Sequence, residues 1–207
     1  MSTKETQEKS IGFSFTVAQA AHSLTFCLIG LLVFIFGMIT GAMTQHAIAL
    51  LRTMNITQAS SFWSLTLGIS VLGRLIAGAA ADRFSLKCIT ITMSVLQIIG
   101  ICSLRYLAQT SIFIWGFVIF YGFALGSFTS IYPLLVSKKF GLDHFSKIIG
   151  LIGLVLVLSF AAGSMTLGRM YDISGSYASS VNVLISLAVV AGIVSLFIGQ
   201  PSKPKTD

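Results

Sequence analysis

Long apolar runs alternate with short polar breaks along this chain. Six runs, near residues 24–50, 60–81, 88–107, 112–136, 147–168 and 178–199, each supply the ~20 residues that an α-helix needs to cross a bilayer. The breaks, Arg52 to Ala59, Asp82 to Lys87, Ala108 to Ser111, Ser137 to Ser146 and Arg169 to Tyr177, are too short to hold a soluble domain. The pattern predicts an all-α membrane protein with a bundle of six transmembrane helices over residues 24–199. Residues 1–23 are expected to form a cytoplasmic tail and an interfacial segment, Ile11 to His22, and residues 200–207 a second cytoplasmic tail. The first apolar run far exceeds a signal-peptide h-region and has no basic residue immediately before it, so no cleavable leader is expected.

Composition agrees with this pattern. Of 207 residues, 55% are hydrophobic and 9% charged, with a mean hydropathy of +0.93, which excludes a water-soluble domain. Thirteen Lys and Arg against six Asp and Glu give a net charge of +7. In a membrane protein such an excess is an orientation signal, not a sign of nucleic-acid binding. Lys4, Lys9, Arg83, Lys87, Lys138, Lys139, Lys147, Lys203 and Lys205 fall on one side of the layout, and Arg52, Arg105 and Arg169 on the other. The basic side faces the cytoplasm, which predicts a multi-pass protein of the cell membrane with both termini cytoplasmic. Cys27, Cys88 and Cys102 have no paired spacing, so they are expected to be buried apolar residues, with no disulfide framework, metal or cofactor.

The chain also carries an internal echo. The second span closes on Gly78-x-x-x-Asp82 and the fifth on Gly168-x-x-x-Asp172, 90 residues apart. Each is the middle helix of a three-helix set, and with three spans per set the two copies stand upside down relative to each other. An inverted 3+3 repeat is a mark of secondary transporters. The glycine would let a neighbouring backbone approach, and the aspartate would accept from a helix N-terminus or pair with a loop cation, forming a latch at the membrane face. Gly37-x-x-x-Gly41 and Gly122-x-x-x-Gly126 are expected to be close-packing faces.

The stretch Gly73-Arg74-Leu75-Ile76-Ala77-Gly78-Ala79-Ala80-Ala81-Asp82-Arg83-Phe84 resembles the eighth helix and following loop of the major facilitator superfamily, whose loop signature runs Gly-x-x-x-Asp-Arg-x-Gly-Arg-Arg. Gly78, Asp82 and Arg83 match, and Lys87 keeps the last basic position. Ser85 and Leu86 stand where the family has glycine and arginine. Gly168 to Tyr177 resembles the turn between that family's eleventh and twelfth helices. The resemblance covers the carboxy-terminal six-helix half only, and it implies one bundle of a two-bundle transporter. Gly78, Asp82, Arg83, Lys87, Gly168 and Asp172 would then form the gating motif.

Arg74 carries the candidate chemistry. It lies eight residues before Asp82, about 12 Å inside the membrane face at 1.5 Å per residue. That is too deep for comfortable snorkelling. Glu5, Glu8, Asp82, Asp143, Asp172 and Asp207 all fall at a face or in a tail, so no carboxylate shares its depth. A substrate carboxylate would fit the guanidinium fork, as would backbone carbonyls or an acid from a missing half. Arg74 also resembles the anion-binding arginine of the monocarboxylate-porter and oxalate/formate-antiporter branches. The latter carries a lysine on its eleventh helix, whereas the fifth span here has no basic residue between Ile148 and Leu167, which points to a monoanion.

Gln45, His46 and Tyr121 are further candidate substrate contacts, the histidine because imidazole titrates near neutrality. Ser127, Thr129 and Tyr132 accompany Tyr121 on the fourth span, where Pro133 is expected to kink the helix toward a cavity. Trp63, Trp115 and Tyr177 are expected as interfacial anchors. Enzyme function is not expected. His46 is the one intramembrane histidine and no Gly-x-Ser-Gly accompanies it, nor does the chain contain His-x-x-Glu-His. The expectation is therefore a secondary transporter, or half of one, moving a small organic anion, with the lipid bilayer and a second six-helix half (a separate chain or a homodimer) as partners. The alternative is a non-transporting membrane subunit or scaffold, or an inactive fragment of a twelve-helix transporter.

Overall fold

The structure is a computed structural model and describes residues 15–107, 110 and 112–198. The terminal tails and the first residues of the interfacial segment lie outside the described residues. Among those described, all regular structure is helical. A short helix α1 (Val17–Ala21) precedes six long ones: α2 (Leu24–Thr53), α3 (Ala59–Ala80), α4 (Leu86–Tyr106), α5 (Phe113–Phe140), α6 (Phe145–Ser174) and α7 (Ala178–Phe197). All six are long and apolar enough to cross a membrane. Each corresponds to one apolar run of the sequence.

Local chemistry sets the helix ends. Thr16 and Gln19 form a reciprocal capping box on α1. The Ser23 hydroxyl accepts from the Phe26 amide at the start of α2, 3.1 Å. The Ser85 hydroxyl accepts from the Cys88 amide, 3.2 Å, and so caps α4. α6 closes on Gly175 in a left-handed conformation, φ 65°. α2 and α6, at 30 residues each, are about 45 Å long. They exceed the ~30 Å hydrocarbon thickness, so they tilt or project beyond it. α5 is continuous through Pro133 and contains a π-helical turn over Phe117–Tyr121.

The most extensive contacts join α3 to α5, α2 to α6 and α4 to α5, followed by α4 with α7 and α2 with α7. Exchanging α2, α3 and α4 for α5, α6 and α7 leaves this set unchanged. The correspondence reaches individual residues. In one pair Gly37 of α2 meets Leu156 and Ser159 of α6, Gly41 meets the Phe160 backbone, and Gly163 of α6 meets the Met38 backbone. In the other, Gly122 of α5 meets Thr66 and Ile69 of α3, Gly126 meets the Ser70 backbone, and Gly73 of α3 meets the Phe123 backbone. The α5 residues lie 85 positions after their α2 counterparts, and the α3 residues 90 positions before those of α6. At Gly41 and Gly126 a Cβ would enter the facing carbonyl, so both helix pairs depend on bare backbone.

Burial separates central from peripheral helices. In the most apolar stretch of each helix, 56% of α2 and 61% of α5 is buried, against 28% of α3 and 22% of α6. Leu65, Val71 and Leu75 of α3 and Leu154, Val157 and Met165 of α6 are exposed. Cys27 and Cys88 are exposed too, and Cys102 is half-buried, contrary to the expected burial; all three are free. On an apolar outer face a thiol meets lipid as readily as a core, so a buried site is unnecessary. Trp63 is buried and stacked on Phe117 at 6.5 Å between ring centroids, not placed as an anchor, while Trp115 is exposed.

Candidate functional site

Close backbone packing puts Arg74 against α5. Because Gly126 has no Cβ, the Ser70 carbonyl and the Arg74 amide can come close to α5. The Arg74 Nε donates to Thr129 Oγ1, 3.1 Å. The Thr129 hydroxyl spends its own proton on the Gly126 carbonyl, 2.7 Å, leaving its lone pairs for the guanidinium. Ser130 donates to the Arg74 carbonyl, 3.2 Å, and Ser127 to the Gly73 and Phe123 carbonyls, 3.3 and 2.8 Å. Pro133 has no N–H to offer the Thr129 carbonyl, a further acceptor at this level of α5.

Among the described residues only a neutral hydroxyl therefore meets the guanidinium of Arg74, which is exposed on α3. Its terminal N–H groups have no hydrogen-bond partner among the described residues. Asp82 lies about 12 Å further along the same helix axis, Asp143 between α5 and α6, and Asp172 in the last turn of α6. Glu5, Glu8 and Asp207 are outside the described residues.

Gln45 and His46 belong to the other helix pair. Gln45 is exposed and borders a concavity of about 530 Å³ with Leu156, Val157, Phe160, Ser164 and Met165 of α6. His46 Nε2 lies 3.1 Å from the Ser164 carbonyl and its Nδ1 lies 3.3 Å from the Tyr177 hydroxyl. A carbonyl only accepts, so Nε2 carries a proton there, and Nδ1 faces the Tyr177 hydroxyl. Tyr177 is thus a buried hydrogen-bonding residue, not the interfacial anchor expected. Burial, with Tyr171 and Asp172 nearby, holds its phenol above the ordinary value, so it stays a donor. His46 ties α2 to α6 and to the turn before α7. The described hydrogen bonds do not join Gln45 or His46 to Arg74.

Tyr121, expected as a substrate contact, lies in the interior. Its ring is fully buried, stacked on Phe117 at 5.1 Å, and its backbone packs on Gly100 of α4. Its hydroxyl approaches Thr40 without reaching good hydrogen-bond geometry. It packs the interior and is not open to a pathway. Tyr132 is half-buried and stacks on Phe128 at 5.3 Å, and Ser127 is buried; only Thr129 of this group meets Arg74.

The glycines of the gating motif also differ from expectation. A Cβ on Gly78 would face open space, and one on Gly168 would touch only the His46 ring at 3.5 Å. No neighbouring backbone uses either position. Asp82, Arg83 and Lys87 are exposed, and no hydrogen bond or ion pair joins their side chains to another described residue. Lys138, on the fourth span, makes the cross-helix contact instead. Its Nζ donates to the Ala81 carbonyl at the end of α3, 3.3 Å, and ties the α3 and α5 ends together. The two lysines in the last turn of α5 were the available signal. Among the described residues no three His, Cys, Asp or Glu side chains gather as a metal site. No protein-family model matches this chain, and no curated protein matches it.

Proposed function

We propose that this chain is a secondary active transporter, or one half of one, that moves a small monocarboxylate across the membrane by alternating access. The observation that carries this reading is Arg74, a mid-depth guanidinium on the exposed side of a peripheral helix, met by the Thr129 hydroxyl and by no described carboxylate. Insertion scales put the cost of a central arginine at about 2.5–3.5 kcal/mol, and a site that binds an anion offsets that cost whenever it is occupied. A carboxylate fits the terminal nitrogens, since Nε is already held. The paired contacts of α2–α6 and α5–α3, related by fixed offsets along the chain, support an inverted three-plus-three repeat of the major-facilitator type. Exposed α3 and α6 supply the surfaces on which a second six-helix half would close a cavity around Arg74. Replacing Arg74 with Ala or Lys in a reconstituted uptake assay tests the reading. Undiminished uptake of every carboxylate by Arg74→Ala would contradict it.

A further inference from the structure

α3 and α4 are consecutive, yet they are not among the helix pairs in extensive contact. Between them runs an apolar crevice of about 300 Å³, lined among others by Ile76, Ala80 and Phe84 on one side and Cys88, Thr92 and Leu96 on the other. Cys88 to Leu96 spans eight residues, about 12 Å of helix axis. That is most of the ~15 Å hydrocarbon depth of one leaflet. The crevice is open to the outside and begins at the end of the bundle where α3 stops and α4 starts.

Cations gather at its mouth. Lys87 precedes Cys88 of the crevice wall, and Lys138 and Lys139 close α5 at the same end. Lys138 is fixed on the carbonyl of Ala81, next to Ala80 of the wall. Arg83 adjoins Phe84, and Lys147 opens α6 at the same end. Against these five the described carboxylates at this end are Asp82 and Asp143, both exposed and neither hydrogen-bonded to a described side chain. A cluster of cations at the mouth of a lipid-deep apolar groove calls for one ligand with an anionic head and an apolar tail.

We infer that the α3–α4 crevice is a binding site for an anionic phospholipid, with one acyl chain in the groove and the headgroup phosphate among the lysines at its mouth, Lys87, Lys138 and Lys139. The phosphate alone would be satisfied by inorganic phosphate; the crevice selects the lipid. A juxtamembrane cation contributes about 1 kcal/mol to an anionic lipid, so removing two lowers the relative affinity about 30-fold. The site depends on the bilayer setting of the helices and not on what the chain transports.

Native mass spectrometry of the purified full-length protein, after exchange into mixed phosphatidylglycerol and phosphatidylcholine of identical chains, tests the site. Wild type is expected to retain phosphatidylglycerol preferentially, Lys87→Gln/Lys139→Gln to lose that preference about 30-fold, and Ala80→Leu to lose it with every charge intact. Inorganic phosphate at millimolar concentration is expected not to displace the lipid. Equal retention of both lipids by wild type, an unchanged preference in the double lysine variant, or displacement by inorganic phosphate would each overturn the proposal. Should the variants fold poorly, a photoreactive phosphatidylglycerol on the wild type decides: crosslinks mapping to residues 76–96 support the site, and crosslinks elsewhere overturn it.

Discussion

Arg74 shows how one residue can be conspicuous by its surroundings. In a chain that is 9% charged, a cation eight residues inside a span is legible without any structure, and so is the absence of a carboxylate at its depth. What the sequence does not reveal is the hydroxyl that receives it. Thr129 lies 55 residues away, and its availability depends on the Gly126 carbonyl taking its proton. The expected effects differ by variant. Arg74→Ala removes a charge-assisted bond of about 1.5–3 kcal/mol, so carboxylate affinity should fall about 10- to 100-fold. Arg74→Lys keeps the charge without the fork and should recover part of that loss. Thr129→Val should raise KM a few-fold with little change in kcat, because it loosens the guanidinium without removing it. Initial-rate uptake over a range of substrate concentrations separates these outcomes. Tyr121 illustrates the opposite case. A polar residue in a span faces a pathway or the interior, and the burial of its ring on Phe117, with its backbone on Gly100, puts Tyr121 in the interior.

At the scale of elements, the six helices follow from hydrophobic runs, since a bilayer demands a continuous apolar stretch with its backbone bonded internally. Their pairing does not follow, because it is set by which glycines meet which backbones. Gly37, Gly41, Gly122 and Gly126 were legible as packing faces, and they pack as such. Gly78 was read the same way and faces open space. A small residue permits close approach, but a neighbour must be there to use it. Stability measurements in detergent should divide these glycines cleanly. Gly41→Val and Gly126→Val drive a side chain into the Phe160 and Ser70 carbonyls and should abolish folding or lower the melting temperature strongly. Gly78→Ala meets nothing and should be neutral or stabilising by about 0.5–1 kcal/mol, the usual gain on replacing a helical glycine. If Gly78→Ala proved as damaging as Gly126→Val, the packing described for α3 would be wrong. The π turn over Phe117–Tyr121 left no mark in the sequence. Pro133 is legible as an interruption of the backbone bonding, and the helix runs through it.

For the whole molecule, the feature to explain is an apolar bundle whose two least buried helices are related by the same exchange that relates the rest. α3 and α6 each present a long exposed face, and Arg74 sits on one of them. Our account places a second six-helix unit against that side. Native mass determination on protein extracted under mild conditions should therefore find two such bundles together, as two copies or as a complex with another six-span chain. A lone monomer in every mild detergent would speak against transport by this assembly. The central claim is that Arg74 receives a substrate carboxylate. Uptake of labelled C1–C4 monocarboxylates into liposomes containing the intact assembly tests it most directly. The account predicts saturable uptake of at least one monocarboxylate, inhibition by its analogues but not by neutral amides, and loss of uptake in Arg74→Ala with assembly preserved. Saturable carboxylate uptake that survives Arg74→Ala unchanged, or no carboxylate uptake by the wild-type assembly, would contradict it.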